Sequence, residues 1–140
     1  MNKKTLSETP QLQDCRQTKT RQGVLALLKK KSPLAAPVIL AGLKKLGVSV
    51  NKTTVYRELE FLLNKKVISE IVFRDGLKRY EPKPSEHSHH LVCVDCQAVE
   101  QVVLDKDLDE QEKKISQRSH FKILHHSLEF YGLCRKCVKK

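Results

Sequence analysis

Two pairs of cysteines constrain the fold of this chain more than any other feature of its sequence. Cys93 and Cys96 form one Cys-x-x-Cys motif, and Cys134 and Cys137 form a second after 37 intervening residues. Each motif can present two thiolates from a tight turn, and two such turns together supply the four sulfur ligands of a structural zinc ion. We therefore predict a structural Zn(II) site. Redox-active dithiols are the alternative, but no βαβ pattern surrounds either pair.

The size of the chain predicts one compact domain or two very small ones, since it has 140 residues, of which 39% are hydrophobic. No apolar run approaches the roughly 18 to 20 residues of a membrane span. The polar segment from Met1 to Gln13 lacks the apolar stretch of a secretory signal. We expect a cytoplasmic protein with no membrane partner, in which cysteines bind metal more readily than they form disulfides.

The positive charge is concentrated in the first part of the chain. Residues 1–82 contain 17 Lys and Arg against 7 Asp and Glu, whereas residues 83–140 contain 10 against 9. A basic field of this kind on a small domain is typical of polyanion binding, in which phosphate contacts supply most of the affinity. A lysine-rich surface that serves only solubility is the alternative.

Three short helices are predicted in the first part of the chain. Thr18 is a candidate N-cap for the first helix. Ser32-Pro33 is expected to open the second helix, which Gly47 stops. The third helix begins near Ser49 or Asn51, and its apolar side chains recur at helical spacing.

A hairpin follows these helices. Val67 to Phe73 and Leu77 to Tyr80 are rich in β-forming residues, and Asp75-Gly76 between them is a strong turn signal. Three helices and a hairpin predict a winged helix-turn-helix, in which the third helix enters the DNA major groove. A small helical domain whose third helix only packs is the alternative.

The rest of the chain predicts a small α+β module. The prolines at 82 and 84 indicate a linker over 82–86. Strands are expected over 91–94, 99–104 and 121–131, with a helix over 107–119 whose inner face holds Leu108, Ile115 and Gln111. We place the DNA-binding domain at 1–82, the hinge at 83–86 and the metal-binding domain at 87–140. The overall fold class is α+β.

Histidines cluster just before the first cysteine pair, in the run His87-Ser88-His89-His90. Residues two apart share one face of a strand, so His87 and His89 are expected to point the same way. A carboxylate from the helix near 107–112 and an imidazole from His125 or His126 could complete a second metal site. A solvated histidine-rich loop is the alternative.

Catalytic motifs are absent from the sequence. It contains no deaminase signature, His-Glu-x-x-His, phosphate-binding glycine loop or nucleophile elbow. We expect that the protein is not an enzyme and takes no small-molecule substrate beyond metal ions.

Several spaced motifs resemble the ferric uptake regulator family. They are Thr53-Thr54-Val55-Tyr56-Arg57-x-Leu59, Arg79-Tyr80-Glu81, the run from His87 to Cys96, and the run from His126 to Cys137. The resemblance implies a homodimeric, metal-responsive repressor that binds double-stranded operator DNA through its N-terminal winged helix. It also implies that the C-terminal α+β domain, 87–140, is the dimerisation domain and dimerises by sheet pairing. It assigns the structural zinc to Cys93, Cys96, Cys134 and Cys137.

Other residues take roles from the same resemblance. Tyr56 and Arg57 correspond to base and backbone contacts, and Arg16 to a basic residue that enters the minor groove. The expected DNA-binding set is Arg16, Lys19, Lys52, Thr53, Thr54, Tyr56 and Arg57. The expected regulatory metal ligands are His87, His89, Asp109 and His126.

A second, hinge-proximal metal site of the family is only partly matched. Glu81, His90 and Glu100 are its candidate ligands, but Ser88 replaces a histidine and Gln101 stands where a carboxylate is common. Fe(II) is the regulatory metal that the family implies. The histidine at position 89 keeps a zinc uptake regulator responding to Zn(II) as the alternative, and Mn(II) is a further possibility.

Two other classes of function stay open from the sequence. One is a DNA-binding dimer whose zinc is architectural and which has no sensory site. The other is a thiol switch that releases zinc on oxidation.

Overall fold

The computed structural model describes residues 9–83, 88–106 and 108–140. The chain divides into two units, Met1–Pro84 and Ser85–Lys140. Of the hinge predicted over 83–86, only Lys83 lies among the described residues. No helix in the described ranges is both long enough and apolar enough to cross a bilayer.

The first unit begins with a 3-10 helix at Pro10–Leu12, followed by helix α1 at Lys19–Lys30. Thr18 caps α1 as predicted, since its hydroxyl oxygen accepts a hydrogen bond from the backbone N–H of Arg21 at 3.1 Å. This bond satisfies one of the N–H groups that a helix N-terminus leaves without a partner.

The second helix starts later than predicted. Leu34–Ala35 form a short strand, β1, and helix α2 spans Ala36–Lys45 with Pro37 in its first turn. Leu34 and Ala35 pair with the third strand of the unit. These two residues therefore belong to the sheet and not to helix α2. Gly47 ends the helix as predicted and adopts a φ of +79°.

Helix α3 spans Lys52–Asn64. Asn51 caps it, because its side-chain oxygen accepts a hydrogen bond from the backbone N–H of Thr54 at 2.9 Å. The predicted apolar face is confirmed, since Val55, Leu59 and Leu62 are buried. They join α1 and α2 in a single core, which contains Leu12, Val24, Leu25, Leu28, Ala36, Ile39, Leu43, Val67, Ile68 and Tyr80.

Strands β2, Ile68–Val72, and β3, Lys78–Pro82, form the predicted hairpin. The antiparallel sheet has the order β1-β3-β2. The assignment of Pro82 to the linker was wrong, because β3 runs through it. The strand accepts a proline there because β1 pairs only with residues 79 and 80 of β3. Three helices and this sheet confirm the winged helix-turn-helix.

The hairpin turn is held by one carboxylate. Asp75 accepts a hydrogen bond from the backbone N–H of Leu77 at 3.0 Å. The two terminal guanidinium nitrogens of Arg79 donate to its two oxygens at 3.1 and 2.7 Å. The Arg79 guanidinium holds the pKa of Asp75 below its usual value. This paired contact connects the turn to Arg79, a buried residue of β3.

The second unit contains strand β4 (Ser88–Cys93), strand β5 (Val99–Val103), helix α4 (Asp109–Ser119) and strand β6 (Glu129–Gly132). Its sheet has the order β5-β4-β6, with β5 antiparallel and β6 parallel to β4. These elements confirm the predicted α+β module.

Two predictions about this unit were wrong in detail. The third strand was expected over 121–131, but strand structure begins only at Glu129, where pairing with β4 begins. The inner face expected for α4 does not form, since none of its residues is buried and Ile115 is 54% exposed. Leu108, just before the helix, is half-buried, and Gln111 is exposed. A helix buries a face only where another element covers it, and the described residues of this small unit provide no such cover.

The Asp75–Arg79 contact generates a prediction about pH. Asp75→Asn should lower the free energy of unfolding of the first unit by about 1 to 2 kcal/mol at pH 7. Because folding depresses the pKa of Asp75, its stabilising contribution is complete above the unfolded value of 3.8 and is lost as the pH falls below it. Urea unfolding of both proteins between pH 7 and pH 3 measures the difference.

Asp14→Asn is the matched control, because Asp14 is an exposed carboxylate of the same unit. The control should follow the wild type at every pH. A difference between wild type and Asp75→Asn that stays constant down to pH 3 would contradict the assignment.

Candidate metal centres and nucleic-acid interface

The four paired cysteines meet at one end of the second sheet. Cys93 is the last residue of β4, and Cys96 lies in the turn that leads to β5. Because β6 is parallel to β4, with Gly132 beside Cys93, both strands end at the same edge. The turn after β6 then carries Cys134 and Cys137 to the first pair.

The geometry of this cluster fits a zinc ion. Its four sulfur atoms lie within 4.8 Å of one another, and those of Cys96 and Cys134 are 3.6 Å apart. Zinc–sulfur bonds of about 2.3 Å in a tetrahedron place the sulfurs about 3.8 Å apart. The first turn closes with Gln97 at a φ of +64°, a conformation that glycine adopts more easily. Gln97 nevertheless completes the turn, since its backbone N–H donates to the Cys93 carbonyl at 3.0 Å.

Backbone N–H groups favour thiolates in part of the cluster. Those of Cys96 and Cys134 lower the pKa of the Cys93 thiol to about 6. The N–H of Cys134 donates to the Cys93 sulfur at 3.3 Å. Hydrogen bonding from the backbone N–H of Cys137 lowers the pKa of Cys134. Burial raises the pKa of Cys137. Since thiolates are the metal-binding form, the cluster is partly prepared for an ion before one binds.

Two of the predicted regulatory ligands lie together in the second unit. His89, on β4, is 6% exposed, and its ring centroid lies 5.5 Å from that of His126. His87 lies outside the described residues. Asp109 is the first residue of α4.

Glu112 also belongs to this group; the sequence predicts a carboxylate ligand from 107–112, and the resemblance singled out only Asp109. Its carboxylate contacts Nδ1 of His126. The two acidic residues Asp109 and Glu112 are three apart on α4, a spacing that places them on the same side of the helix. That spacing was the available signal. A carboxylate on one ring nitrogen of a histidine fixes its tautomer and leaves the other nitrogen for a metal.

Two candidate ligands of the weaker site lie on opposite faces of the second sheet. Glu81 is buried on β3 of the first unit, whereas His90 and Glu100 belong to the second. In the β4–β5 register, His90 stands opposite Gln101 and Glu100 stands opposite Leu91. Side chains alternate between faces along a strand, so Glu100 lies on the face of the sheet opposite to that of His90.

The candidate DNA-binding residues lie on the exposed side of α3 and before α1. Lys52, Thr53, Thr54, Tyr56 and Arg57 are all exposed, as are Arg16 and Lys19. The Lys52 ammonium lies 5.7 Å from the centre of the Tyr56 ring. The Thr54 hydroxyl also contacts the Asn51 side chain at 2.9 Å, so Thr54 takes part in the helix cap. Buried Val55 and Leu59 anchor the opposite side of the helix.

Comparisons with known proteins agree in pointing to one family. The profile of the Ferric uptake regulator family matches residues 13–131. The chain is 35% identical over 136 residues to the "Ferric uptake regulation protein" of Legionella pneumophila, covering 94% of this chain and 99% of that protein. It is 37% identical over 111 residues to the protein of the same name from Bacillus subtilis (strain 168), covering 76% and 73%.

A solved structure described as a "zinc-bound manganese uptake regulator" is similar over its whole length. It superposes on this chain with a TM-score of 0.76 and 26% sequence identity. The match covers 94% of this chain and 99% of that one. A match of this extent includes residues of both units.

The cysteine geometry generates a prediction about metal content. Cys96→Ser should reduce bound zinc from one ion per chain to a small fraction and lower the unfolding temperature of the second unit, because binding of structural zinc contributes directly to folding. Elemental analysis after dialysis, together with a thermal scan, measures both. Cys15→Ser is the control and should keep the metal, since Cys15 lies outside the cluster. Equal zinc content in both variants would contradict the assignment.

Proposed function

Because the chain belongs to the ferric uptake regulator family, we propose that it is a repressor that binds operator DNA as a homodimer and controls metal uptake in response to Fe(II). Proteins of this family are metal-dependent transcription regulators and not enzymes. The observation that carries the proposal for this chain is the exposed polar side of α3 on the unit that holds most of the positive charge.

In the proposed complex, α3 enters the major groove. Tyr56 and Arg57 read bases and adjoining backbone from its exposed side, while Lys52, Thr53 and Lys19 contact phosphates. Thr54 supports the cap of the helix, and the hairpin of β2 and β3 lies beside the DNA backbone as a wing. Arg16 enters the minor groove, where a narrow A·T-rich segment attracts a cation.

We assign the four-cysteine cluster to a structural Zn(II) ion. Its sulfur spacing and its position between two neighbouring strand ends support this assignment. The regulatory ion is proposed to bind at His87, His89, Asp109 and His126, with Glu112 orienting His126. A set of imidazoles and carboxylates suits a borderline divalent ion such as Fe(II), Mn(II) or Zn(II).

The names of the two curated relatives favour Fe(II) as the sensed metal. Zn(II) is the alternative, since an imidazole at position 89 suits it, and the similar manganese regulator keeps Mn(II) as a third candidate. We give less weight to Glu81, His90 and Glu100, because Glu100 and His90 lie on opposite faces of the sheet.

Regulation in this proposal depends on residues from three separate segments. His89 comes from β4, Asp109 and Glu112 come from α4, and His126 follows α4. An ion held there would accept electron pairs from ligand atoms on all three segments. Such an ion favours operator binding only by the difference in its affinity for the competent and incompetent arrangements of the dimer. The hinge at 83–86 is the proposed connection to the winged helix.

A second copy of the chain is the proposed cover for the apolar surface of the second unit. Among its described residues, Ile115, Phe121, Leu124, Phe130 and Leu133 are all exposed. A unit this small buries little apolar surface by itself, so association with an identical unit is the economical way to remove these side chains from water.

A prediction about DNA recognition follows. Arg57→Ala should weaken operator binding by about 1 to 3 kcal/mol, because it removes a direct contact from α3. Fluorescence anisotropy with labelled operator DNA measures the loss. Arg118→Ala is the control, since Arg118 is an exposed arginine of α4, outside the proposed interface. Unchanged operator affinity of Arg57→Ala would exclude its proposed role.

The adjacent histidines 125 and 126 allow a test of the regulatory site. Operator binding is titrated with anaerobic Fe(II), Zn(II) or Mn(II), while the structural zinc is retained. We expect one metal to tighten binding by about tenfold or more, a typical allosteric coupling. His89→Ala and His126→Ala should abolish the gain. His125→Ala, the matched control, should keep it, because the Glu112 carboxylate contacts His126 and not its neighbour.

Equal operator affinity with every metal and with none would contradict the sensory site. The protein would then be a zinc-containing DNA-binding dimer without metal regulation. Loss of zinc and of dimers under mild peroxide, without any response to added metal, would instead support the thiol switch.

A further inference from the structure

We propose that Arg21 is a positioning residue for DNA binding, which holds the segment carrying Arg16 in a fixed place against helix α3. The inference rests on the proposed DNA-binding function and adds a residue to it. Arg21 lies in the first turn of α1 and, although it is an arginine, it is only 8% exposed. A buried guanidinium is costly unless its donors are satisfied, so its partners reveal what it holds together.

The first partner of Arg21 is helix α3. Its Nε donates to one carboxylate oxygen of Glu58 at 2.6 Å, and Nη2 donates to the other at 3.4 Å. Both side chains are nearly buried, with exposures of 10% and 12%. The guanidinium carbon also lies 4.1 Å from the centre of the Phe61 ring. Arg21 thus contacts two residues of α3 that are three apart, one of which directly follows Arg57.

The second partner is the segment before α1. Nη1 of Arg21 donates to the backbone carbonyl of Arg16. The backbone N–H of Arg21 meanwhile donates to the Thr18 cap. The contact uses the main chain of Arg16 and leaves its exposed side chain for another role. One guanidinium therefore connects the backbone that carries Arg16 to the helix that carries Tyr56 and Arg57.

This arrangement does more than fill the space between two helices. Apolar residues can replace a buried ion pair with little loss of stability. They cannot, however, donate to the Arg16 carbonyl while holding Glu58 and Phe61. The planar arginine fork performs both tasks at once, and a lysine, with one nitrogen, cannot. The distance between the minor-groove cation and the major-groove helix is set by this residue.

The proposal predicts that Arg21 and Arg16 act on DNA as one unit. Operator affinity of the full-length, metal-loaded protein is measured for wild type, Arg21→Lys, Arg16→Ala and the double variant, at several salt concentrations. We expect each single variant to bind operator DNA at least about fivefold more weakly, which is the low end of the affinity lost with one DNA contact. The affinity of each single variant should also depend less steeply on salt concentration. The double variant should bind no more weakly than Arg16→Ala alone.

A second set of single and double variants distinguishes positioning of the Arg16 segment from a general effect of Arg21 on α3. Arg21→Lys combined with Arg57→Ala should lose affinity by the product of the two single losses, because Arg57 does not act through the Arg16 segment. Thermal unfolding checks that each variant is folded. If Arg21→Lys fails to fold, Glu58→Gln replaces it, since that variant removes the charge that holds the fork while keeping the shape of the side chain.

If the double variant of Arg21→Lys and Arg16→Ala lost operator affinity by the product of the two single losses, the inference would be overturned. It would also be overturned if the losses of Arg21→Lys and Arg57→Ala failed to multiply. An Arg16→Ala variant with wild-type affinity would also overturn it, while leaving the proposed function intact. Wild-type protein that binds no operator DNA with any metal would remove the proposed function itself.

Discussion

The parallel pairing of β6 with β4 is the contact on which the second unit depends. It brings the turn with Cys134 and Cys137 to the end of the strand that carries Cys93. The sheet has only three short strands, so burial of apolar surface contributes little to its stability. Four thiolates without a counter-ion would repel one another, and an ion at their centre converts that repulsion into attraction. The same pairing fixes the position of β4, and of the histidines on it, beside β6.

The first unit is stabilised in a different way. A core of aliphatic side chains joins three helices and the base of the hairpin. Two arginines extend this core towards the surface: Arg21 links α1 to α3, and Arg79 holds the turn of the hairpin through Asp75. Both make two-pronged contacts with carboxylates, which fix orientation as well as distance. Rigid placement of a helix and its flanking segment is what the proposed recognition of two DNA grooves requires.

The predicted helix caps, which rest on local chemistry, agreed with the structure, whereas element boundaries that depend on distant partners did not. Thr18 and Asn51 cap their helices because a side-chain oxygen reaches an N–H only three residues away. Residues 34 and 35 looked helical, yet they pair with a strand that lies more than 40 residues further along the chain. The strand expected from 121 begins only where β4 offers a partner. Arg21 was missed because its role lies in a contact with Glu58 that no local pattern indicates. The acidic spacing on α4 pointed to a carboxylate, but only the fold shows that Glu112 contacts His126.

The sequence by itself determined the class of fold, the four cysteines as one cluster, and the basic winged helix, since spacing, capping residues and charge are properties of the chain. The tertiary structure alone decided which faces those residues occupy. It set the strand register that places Glu100 and His90 on opposite sides of the sheet, and it placed a carboxylate on His126. Register and long-range contacts depend on the packing of the whole unit, because a shift of one residue in a strand moves every side chain to the other face.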